Sequence, residues 1–222
     1  MRTPVARSSN DMLSYERDFW RCGFNVIAGV DEVGRGALAG PLVAAAVILP
    51  PSVERLLEGP SFWHAVRDSK SLSADTRTRL ALEIHETALC TSIAMTPVAL
   101  LDAIGLAAAN RSAMEQAVLG LEIEPEVLLI DAMTLDLEQP QQGIIDGDAL
   151  CLSIAAASIV AKVARDRLMV DLDDHFPGYG FARNKGYGVS AHTRALETFG
   201  SCVHHRKCFS PVRRADEIIR GS

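Results

Sequence analysis

Two adjacent carboxylates, Asp31 and Glu32, follow an apolar segment and precede the glycine-rich turn Gly34-Arg35-Gly36. Neighbouring residues of a strand point to opposite faces of a sheet, so both carboxylates can serve one site only if the strand ends there. The two glycines favour such an end and also allow another backbone to come close. A solvated polar turn would explain the same residues equally well, so the segment needs acidic partners elsewhere in the chain.

Two further aspartates stand where the active sites of α/β proteins collect. Asp131 ends the apolar segment 127–130, and Asp148 lies in a turn directly before a long helical segment. Either could be a solvated loop residue, and Asp148 could simply cap the helix. If all four carboxylates converge, they repel each other unless cations are present, and oxygen ligands suit Mg²⁺ or Mn²⁺ rather than zinc. Such a cluster predicts phosphodiester cleavage with two metal ions.

A sheet and a helix must hold these carboxylates together. Apolar runs and turn residues predict strands at 25–31, 42–49, 89–95, 127–130 and 143–145, and helices at 11–21, 73–88, 97–119, 150–172 and 190–199. The first two strands should form a hairpin, and small residues in the first half of the 150–172 helix should let it lie close to the sheet. The order of elements predicts one α/β domain with a mixed sheet at 11–213, after a flexible lead-in at 1–10 and before a polar tail at 214–222.

The net charge of −6 argues mildly against nucleic-acid binding, which usually shows as a basic excess. Metal-binding carboxylates contribute negative charge that cations would offset, so local basic patches count for more. The stretch 204–207 (HHRK), followed by Arg213 and Arg214, is one candidate patch. Scattered alternatives are Arg35, Lys70, Lys162, Arg165 and Arg167.

The remaining bulk features predict a cytoplasmic protein. Five dispersed cysteines without a C-x-x-C pair argue against a disulfide framework and a structural zinc site. The first ten residues lack the apolar core of a signal peptide, and no apolar run reaches the length that spans a membrane.

Six segments of the sequence carry motifs that point to one family. They are DEVGRGALAGPLVAAAVIL at 31–49, DSKSL at 68–72, LLIDAM at 128–133, GDALCLSIAAASIVAKVARDR at 147–167, GYGFARNKGYGVSAHTRAL at 178–196 and HHRKCFSPV at 204–212. Taken together, they resemble the ribonuclease HII family. They follow the family's order and spacing over roughly residues 12–213. The resemblance implies a ribonuclease H-like fold, in which a mixed central β-sheet is flanked by helices and followed by a small C-terminal helical portion.

The resemblance also implies an activity and its ligands. The family's metal ligands map onto Asp31, Glu32, Asp131 and Asp148, with Asp31 as the bridging ligand. Two ions, Mg²⁺ or Mn²⁺, would support cleavage of the RNA strand of RNA–DNA hybrids and cleavage 5′ of single ribonucleotides in duplex DNA. The products would carry 3′-hydroxyl and 5′-phosphate ends. We expect a monomer that acts in ribonucleotide excision repair and replication and does not contact a membrane.

Substrate contacts follow from the same resemblance. Main-chain groups of Gly34, Arg35 and Gly36 would meet the 2′-hydroxyl, which is the group that separates RNA from DNA. Tyr187 would pack on the deoxyribose that follows the ribonucleotide, although an aromatic ring packed over a glycine-rich loop is the alternative. Ser69 and Lys70 are candidate phosphate contacts by charge and by the DSK match.

Two positions depart from the family pattern. Ala37 stands where the family usually has proline, and Asp146 stands where a lysine commonly precedes Gly147 and Asp148. Asp146 could weaken nucleic-acid binding, strengthen cation binding or compete with Asp148 for the metal.

The other polar residues receive structural roles. Lys162 and Asp166 should pair at i, i+4. We assign His192 and His205 to packing or hydrogen bonding, and we expect the adjacent pair His204-His205 at the surface rather than at a metal.

Three alternatives to this enzyme share some of these features. The first is an inactive nucleic-acid-binding module, which the complete carboxylate set disfavours. The second is a nucleotide-phosphate binder, which needs a glycine-rich motif that 34–40 does not contain. The third is a related ribonuclease H-type nuclease with a different junction preference.

Overall fold

A five-stranded mixed sheet forms the centre of the computed structural model, which describes residues 11–67 and 69–221. The strands are β1 (Ile27–Val33), β2 (Leu42–Ile48), β3 (Cys90–Thr96), β4 (Val127–Asp131) and β5 (Gln141–Ile144). Their order is β3-β2-β1-β4-β5, with β1 antiparallel to β2, β2 antiparallel to β3, and parallel pairing of β1 with β4 and β4 with β5. The predicted mixed sheet and its first hairpin are confirmed. The predicted lead-in at 1–10, Asp68 and Ser222 lie outside the described residues.

Helices cover both faces of the sheet and form the C-terminal portion. They are α1 (Ser14–Arg21), α2 (Val53–Leu56), α3 (Ala74–Thr87), α4 (Val98–Ile104), α5 (Leu106–Leu119), α6 (Gly147–Leu150), α7 (Leu152–His175), α8 (Phe181–Asn184), α9 (Ser190–Phe199) and α10 (Ser210–Gly221). Two 3₁₀ turns occupy Phe62–Ala65 and Ser69–Ser71. None of the helices in the described ranges is long and apolar enough to cross a bilayer.

The long helix α7 lies against β1 because both surfaces carry small residues. Gly29 faces the helix so closely that a Cβ atom there would come within 2.1 Å of the Ser153 carbonyl carbon. Ala155, Ala156 and Ala157 are fully buried in the core between α7 and the sheet. The predicted close approach of this helix is confirmed, and it brings the α7 side chains to the edge of the sheet where Asp31 lies.

Helix α5 covers the other face of the sheet. Its buried residues Ala113, Met114 and Ala117 pack with Val30 and Ile130 of the two central strands. Side chains at alternate positions of β1 therefore point to two different helices, which matters for the two adjacent carboxylates.

The first helix anchors the start of α7. The Met12 carbonyl accepts a hydrogen bond from the Leu152 N–H at 2.8 Å, and Glu16 Oε1 accepts one from the Ser153 N–H at 2.8 Å. These two bonds satisfy amides that the first turn of a helix leaves without an intrahelical partner. Only Cys151 separates α6 from α7. The two hydrogen bonds therefore also fix the position of α6, which carries Asp148.

Three helix boundaries differ from the sequence prediction. The predicted helix at 97–119 is two helices, because Gly105 takes a positive φ of 82° between α4 and α5. The predicted helix at 150–172 begins at Leu152 and is preceded by the short α6. The segment 214–221, expected as a polar tail, continues α10, whose Val212 and Ala215 pack on Leu38 and Leu196.

Candidate active site

Three of the four predicted metal-binding carboxylates meet where β1 and β4 separate. Asp31, Glu32 and Asp131 each offer a carboxylate oxygen, and these oxygens lie within 4.8 Å of one another. The ladder between the two parallel strands ends at the pair Val30 and Ile130. The acidic residues directly follow that last pair, so their side chains reach the open end of the sheet.

Asp31 and Glu32 share the site although the strand does not end there. Strand β1 continues to Val33 and Glu32 pairs with β2, so the expectation of a strand end is wrong. Pairing with β4 has stopped by this point. Ser158 of α7 lies close enough to lower the pKa of Asp31 by hydrogen bonding, and Asn110 of α5 does the same for Glu32. The two carboxylates therefore come from opposite faces of the sheet and meet at its unpaired edge.

Burial and mutual repulsion disfavour the charged forms of all three carboxylates. Desolvation raises the pKa of Asp31 well above its usual range, with further increases from Glu32 and Asp131. The pKa of Glu32 is raised by burial and then by Asp131, although Arg35 opposes this. Burial also raises the pKa of Asp131, and the Gly147 N–H, 2.8 Å from its Oδ1, opposes the shift. A divalent cation would remove this repulsion, and the oxygen-only donor set fits Mg²⁺ or Mn²⁺.

Asp148 lies beside this cluster and is not part of the group of three. It is buried in the first turn of α6, and its Oδ2 accepts a hydrogen bond from Lys70 Nζ at 3.1 Å. Its negative charge raises the pKa of Asp131, so the two carboxylates interact. Asp148 does not cap α7, since the residue at that N-cap is Cys151.

The Gly34-Arg35-Gly36 turn and Tyr187 line the same pocket as the cluster. The pocket has a volume of about 220 Å³. Its lining residues are Asp31, Glu32, Val33, Gly34, Arg35, Gly36, Ser69, Lys70, Asp131, Ser158, Lys162 and Tyr187. Asp148 is not among them. The pocket therefore combines the acidic cluster with all six of the predicted substrate contacts.

Backbone pairing holds Tyr187 beside the turn. Ala37 and Tyr187 form an isolated antiparallel bridge, and the Leu38 N–H donates to the Gly186 carbonyl at 2.8 Å. The Tyr187 ring centroid lies 5.4 Å from Arg165 Cζ and 5.9 Å from Lys162 Nζ. Cations over a ring face are attracted by its quadrupole, so these contacts help to fix the ring at the pocket wall.

Comparison with known proteins decides the family. The family model described as ribonuclease HII matches residues 28–211. The chain belongs to the ribonuclease HII family. A ribonuclease HII from Dehalococcoides mccartyi is 46% identical over 206 residues, which cover 92% of this chain and 95% of the relative. Membership makes the chain a metal-dependent endoribonuclease of the kind that cleaves the RNA strand of RNA–DNA hybrids.

Solved structures confirm the ribonuclease H-like fold. The ribonuclease H2 from Pyrococcus horikoshii OT3 superposes with a TM-score of 0.74 at 24% identity, over 89% of this chain and all of that protein. Bst-RNase HIII in complex with Mn²⁺ superposes with a TM-score of 0.64 at 20% identity, over 89% of this chain and 71% of that protein. At these identities the two structures establish the fold alone.

Two of the predicted contacts of this ribonuclease HII chain differ in accessibility. Ser69 is buried, and its hydroxyl forms a 2.9 Å hydrogen bond with the hydroxyl of Ser158. The Lys70 side chain is 80% exposed even though it pairs with Asp148. The Lys70 ammonium group is therefore accessible from solvent, whereas the Ser69 hydroxyl contacts Ser158 next to Asp31.

The predicted basic patch at 204–207, followed by Arg213 and Arg214, lies only partly at the surface, where Lys207, Arg213 and Arg214 are exposed. Arg206 and His205 are buried, so neither can present its charge at the surface. The surface position expected for His205 is wrong for the same reason. His205 Nε2 lies 3.0 Å from Nε2 of His192, which confirms the hydrogen-bonding role of this pair. Lys162 Nζ lies 2.6 Å from Asp166 Oδ1, as the i, i+4 spacing predicts.

Sequence reasoning missed the two arginines that shape the pocket. Arg165 was expected as a surface cation, and Arg206 as part of the patch, yet both side chains are 0% exposed. Their guanidinium groups donate to main-chain carbonyls around the turn at 34–41. Both arginines lie in segments that resemble the family, and this resemblance could have indicated a structural role. Their charge led instead to a surface assignment, since charged residues are rarely fully buried.

Proposed function

We propose that this chain cuts duplex DNA on the 5′ side of a single embedded ribonucleotide, in addition to cleaving the RNA strand of hybrids. The observation that carries the proposal is the shared pocket, in which three converging carboxylates face a glycine-rich turn and an aromatic ring. Acidic oxygens suit cleavage of a phosphodiester, and a turn of backbone amides suits recognition of one hydroxyl group. We also propose that the chain acts as a monomer in the cytoplasm.

Asp31, Glu32, Asp131 and Asp148 are the residues that would hold two divalent ions, Mg²⁺ or Mn²⁺. Asp31 interacts with both Glu32 and Asp131 and would be the shared ligand. The raised pKa values of all three carboxyl groups fit residues that bind a cation. Asp148 would join once Lys70 leaves it for a substrate phosphate. When bound, the ions supply activation of the attacking water and neutralisation of the charge on the departing 3′ oxygen.

The other residues bind and orient the substrate. Gly34, Arg35 and Gly36 would meet the 2′-hydroxyl through the main chain, and Lys70 would contact the phosphate. Tyr187, fixed beside the turn by the Ala37 bridge, would pack on the deoxyribose that follows the ribonucleotide. A 2′-hydroxyl on that next sugar would clash with the ring. This arrangement favours a ribonucleotide joined to DNA on its 3′ side.

The test is a cleavage assay on a duplex with one ribonucleotide, in Mg²⁺, in Mn²⁺ and in EDTA. Asp131→Asn should lower cleavage by about 100-fold or more, because it removes a ligand of the reacting centre. Asp136→Asn is the matched control, since Asp136 is an exposed aspartate five residues further along the chain. We expect the control to keep its activity. Cleavage by Asp131→Asn at the control's rate, or undiminished cleavage in EDTA, would refute the proposal.

A further inference from the structure

Two fully buried arginines hold the loop at residues 34–41 without a carboxylate partner. Arg165 and Arg206 are both 0% exposed. Within residues 11–67 and 69–221, no carboxylate oxygen lies within salt-bridge distance of either guanidinium group. A buried cation must be compensated by other polar groups. Here main-chain carbonyls take that role.

The two arginines donate hydrogen bonds to different parts of the loop. Arg206 donates to the carbonyls of Gly34 at 2.7 Å, Arg35 at 3.2 Å, Gly40 at 2.9 Å and Pro41 at 3.1 Å. Arg165 donates to the carbonyls of Ala39 at 3.0 Å, Pro41 at 3.0 Å and Lys185 at 2.8 Å. Of the two, Arg206 is the one whose bonds reach the Gly34-Arg35-Gly36 turn. The planar fork of a guanidinium suits several fixed acceptors at once.

These bonds help to determine which way the amides of the turn point, together with the hydrogen bond that the Gly34 carbonyl accepts from the Ala37 N–H at 3.2 Å. In a trans peptide the carbonyl and the N–H of the following residue lie on opposite sides. Because the Gly34 and Arg35 carbonyls face Arg206 in the interior, the N–H groups of Arg35 and Gly36 face away from it. Both residues line the pocket and are exposed. Neither of these amides has an acceptor among the hydrogen bonds of the described residues.

The buried charge also strengthens these amides as donors. Burial lowers the pKa of Arg206 to about 10, so the group keeps its proton at neutral pH. A cation that is bonded to a carbonyl polarises the peptide group, and the N–H on the other side becomes a better donor. The turn therefore presents two oriented, polarised donors beside the carboxylate cluster.

We propose that Arg206 is a positioning residue for ribonucleotide recognition, because it turns the Arg35 and Gly36 amides toward the 2′-hydroxyl oxygen of the substrate. This inference rests on the proposed function, in which the turn meets that hydroxyl. Arg206 itself touches no substrate. Lysine cannot replace it, since one ammonium group lacks the planar fork that holds three or four carbonyls.

The experiment measures discrimination rather than activity. In an Asp131→Asn background, in which cleavage should be slower by about 100-fold or more, fluorescence anisotropy in Mg²⁺ gives the Kd of two duplexes that differ only by one 2′-hydroxyl. Adding Arg206→Lys should weaken binding of the ribonucleotide duplex by about tenfold, the loss of roughly one hydrogen bond, and leave the all-DNA duplex unchanged. Arg77→Lys is the matched control: the Arg77 guanidinium also donates to main-chain carbonyls beside the pocket, those of Ser69 and Leu72, but its hydrogen bonds do not reach the turn at 34–36. Its ratio of the two Kd values should stay the same.

The outcomes separate the two proposals. If Arg206→Lys weakens binding of both duplexes equally, or if Arg77→Lys loses the same discrimination, Arg206 has no special part in recognition. Thermal unfolding of each variant shows whether it folds, and Arg206→Gln carries the same prediction should the lysine variant fail to fold. A background protein that shows no preference for the ribonucleotide duplex overturns the proposed function as well. A preference that survives both Arg206 variants overturns the role of Arg206 alone.

Discussion

At the scale of single residues, the site is built from groups that oppose folding in the absence of a cation. Asp31 is buried beside Glu32 and Asp131, and each neighbour raises its pKa further. A folded-state pKa above the unfolded value gives stability that is present at low pH and is lost as the pH rises. The metal-free protein therefore loses stability as these carboxylates ionise. Bound divalent ions would restore it by binding the folded state.

Asp31→Asn should stabilise the metal-free protein while abolishing cleavage. The asparagine keeps an oxygen for the Glu32 N–H, which now donates to Asp31 Oδ1 at 2.7 Å, but it carries no charge. In EDTA at neutral pH we expect the thermal unfolding midpoint to rise by about 2–4 °C, the shift of roughly 1 kcal/mol in a chain of this size. Added Mg²⁺ should stabilise the variant less than the wild type. Calorimetry that finds the variant less stable in EDTA would contradict this view of the cluster.

Tyr187→Ala tests the junction contact at the same scale. The ring lies at the pocket wall near Arg165 and Lys162, and the bridge to Ala37 uses backbone atoms that the variant retains. We expect kcat/KM at an isolated ribonucleotide to fall by about tenfold or more, with a smaller loss on a long RNA–DNA hybrid. The measurement is the fold-loss of kcat/KM at the isolated ribonucleotide divided by the fold-loss on the hybrid. Equal losses on both substrates would argue against a contact with the following deoxyribose.

At the scale of elements, sequence periodicity predicted most of the strands and helices but not how they are joined. The strands, the hairpin and the small-residue face of α7 follow from local patterns, since those patterns match the pleat and the helical repeat. The start of α7 depends on Glu16, which is more than 130 residues away from Ser153 in the chain. Such a cap has no local signature. The same limit applies to the meeting of Asp31 and Glu32, which depends on where the β4 ladder stops.

The contact between α1 and α7 gives a prediction of its own. Glu16→Ala should destabilise the protein by about 1–3 kcal/mol, because it leaves the buried Ser153 N–H without its acceptor. Glu16→Gln retains an acceptor oxygen. Burial raises the pKa of Glu16 above its usual value of 4.5, because the buried carboxyl group is more stable when it is neutral. The folded protein therefore loses stability as the pH rises through the folded-state pKa and Glu16 ionises. Urea unfolding should show the wild type losing stability relative to Glu16→Gln as the pH rises above 4.5; a pH-independent difference would contradict this assignment.

At the scale of the whole molecule, the net charge of −6 conceals how the chain can bind a polyanion. Asp31, Glu32, Asp131 and Asp148 contribute four negative charges at the point where cations would bind. Two cations are hidden in the interior, where Arg165 and Arg206 polarise the loop at 34–41 from behind. Sequence reasoning found the carboxylates because they adjoin readable apolar runs and lie in segments that resemble the family. It misplaced the arginines because their partners are backbone carbonyls, which leave no trace in residue types.

The most direct test of the central claim is an analysis of the ends made on a duplex with one ribonucleotide. A water molecule activated at the carboxylate cluster leaves a 3′-hydroxyl on the upstream DNA fragment and a 5′-phosphate on the ribonucleotide. Attack by the 2′-hydroxyl would instead cut on the 3′ side of the ribonucleotide and leave a cyclic phosphate. Mass spectrometry of the two fragments distinguishes these results. We predict 3′-hydroxyl and 5′-phosphate ends with Mg²⁺ or Mn²⁺ and no product in EDTA; a cyclic phosphate, or the same products in EDTA, would contradict the metal-dependent site.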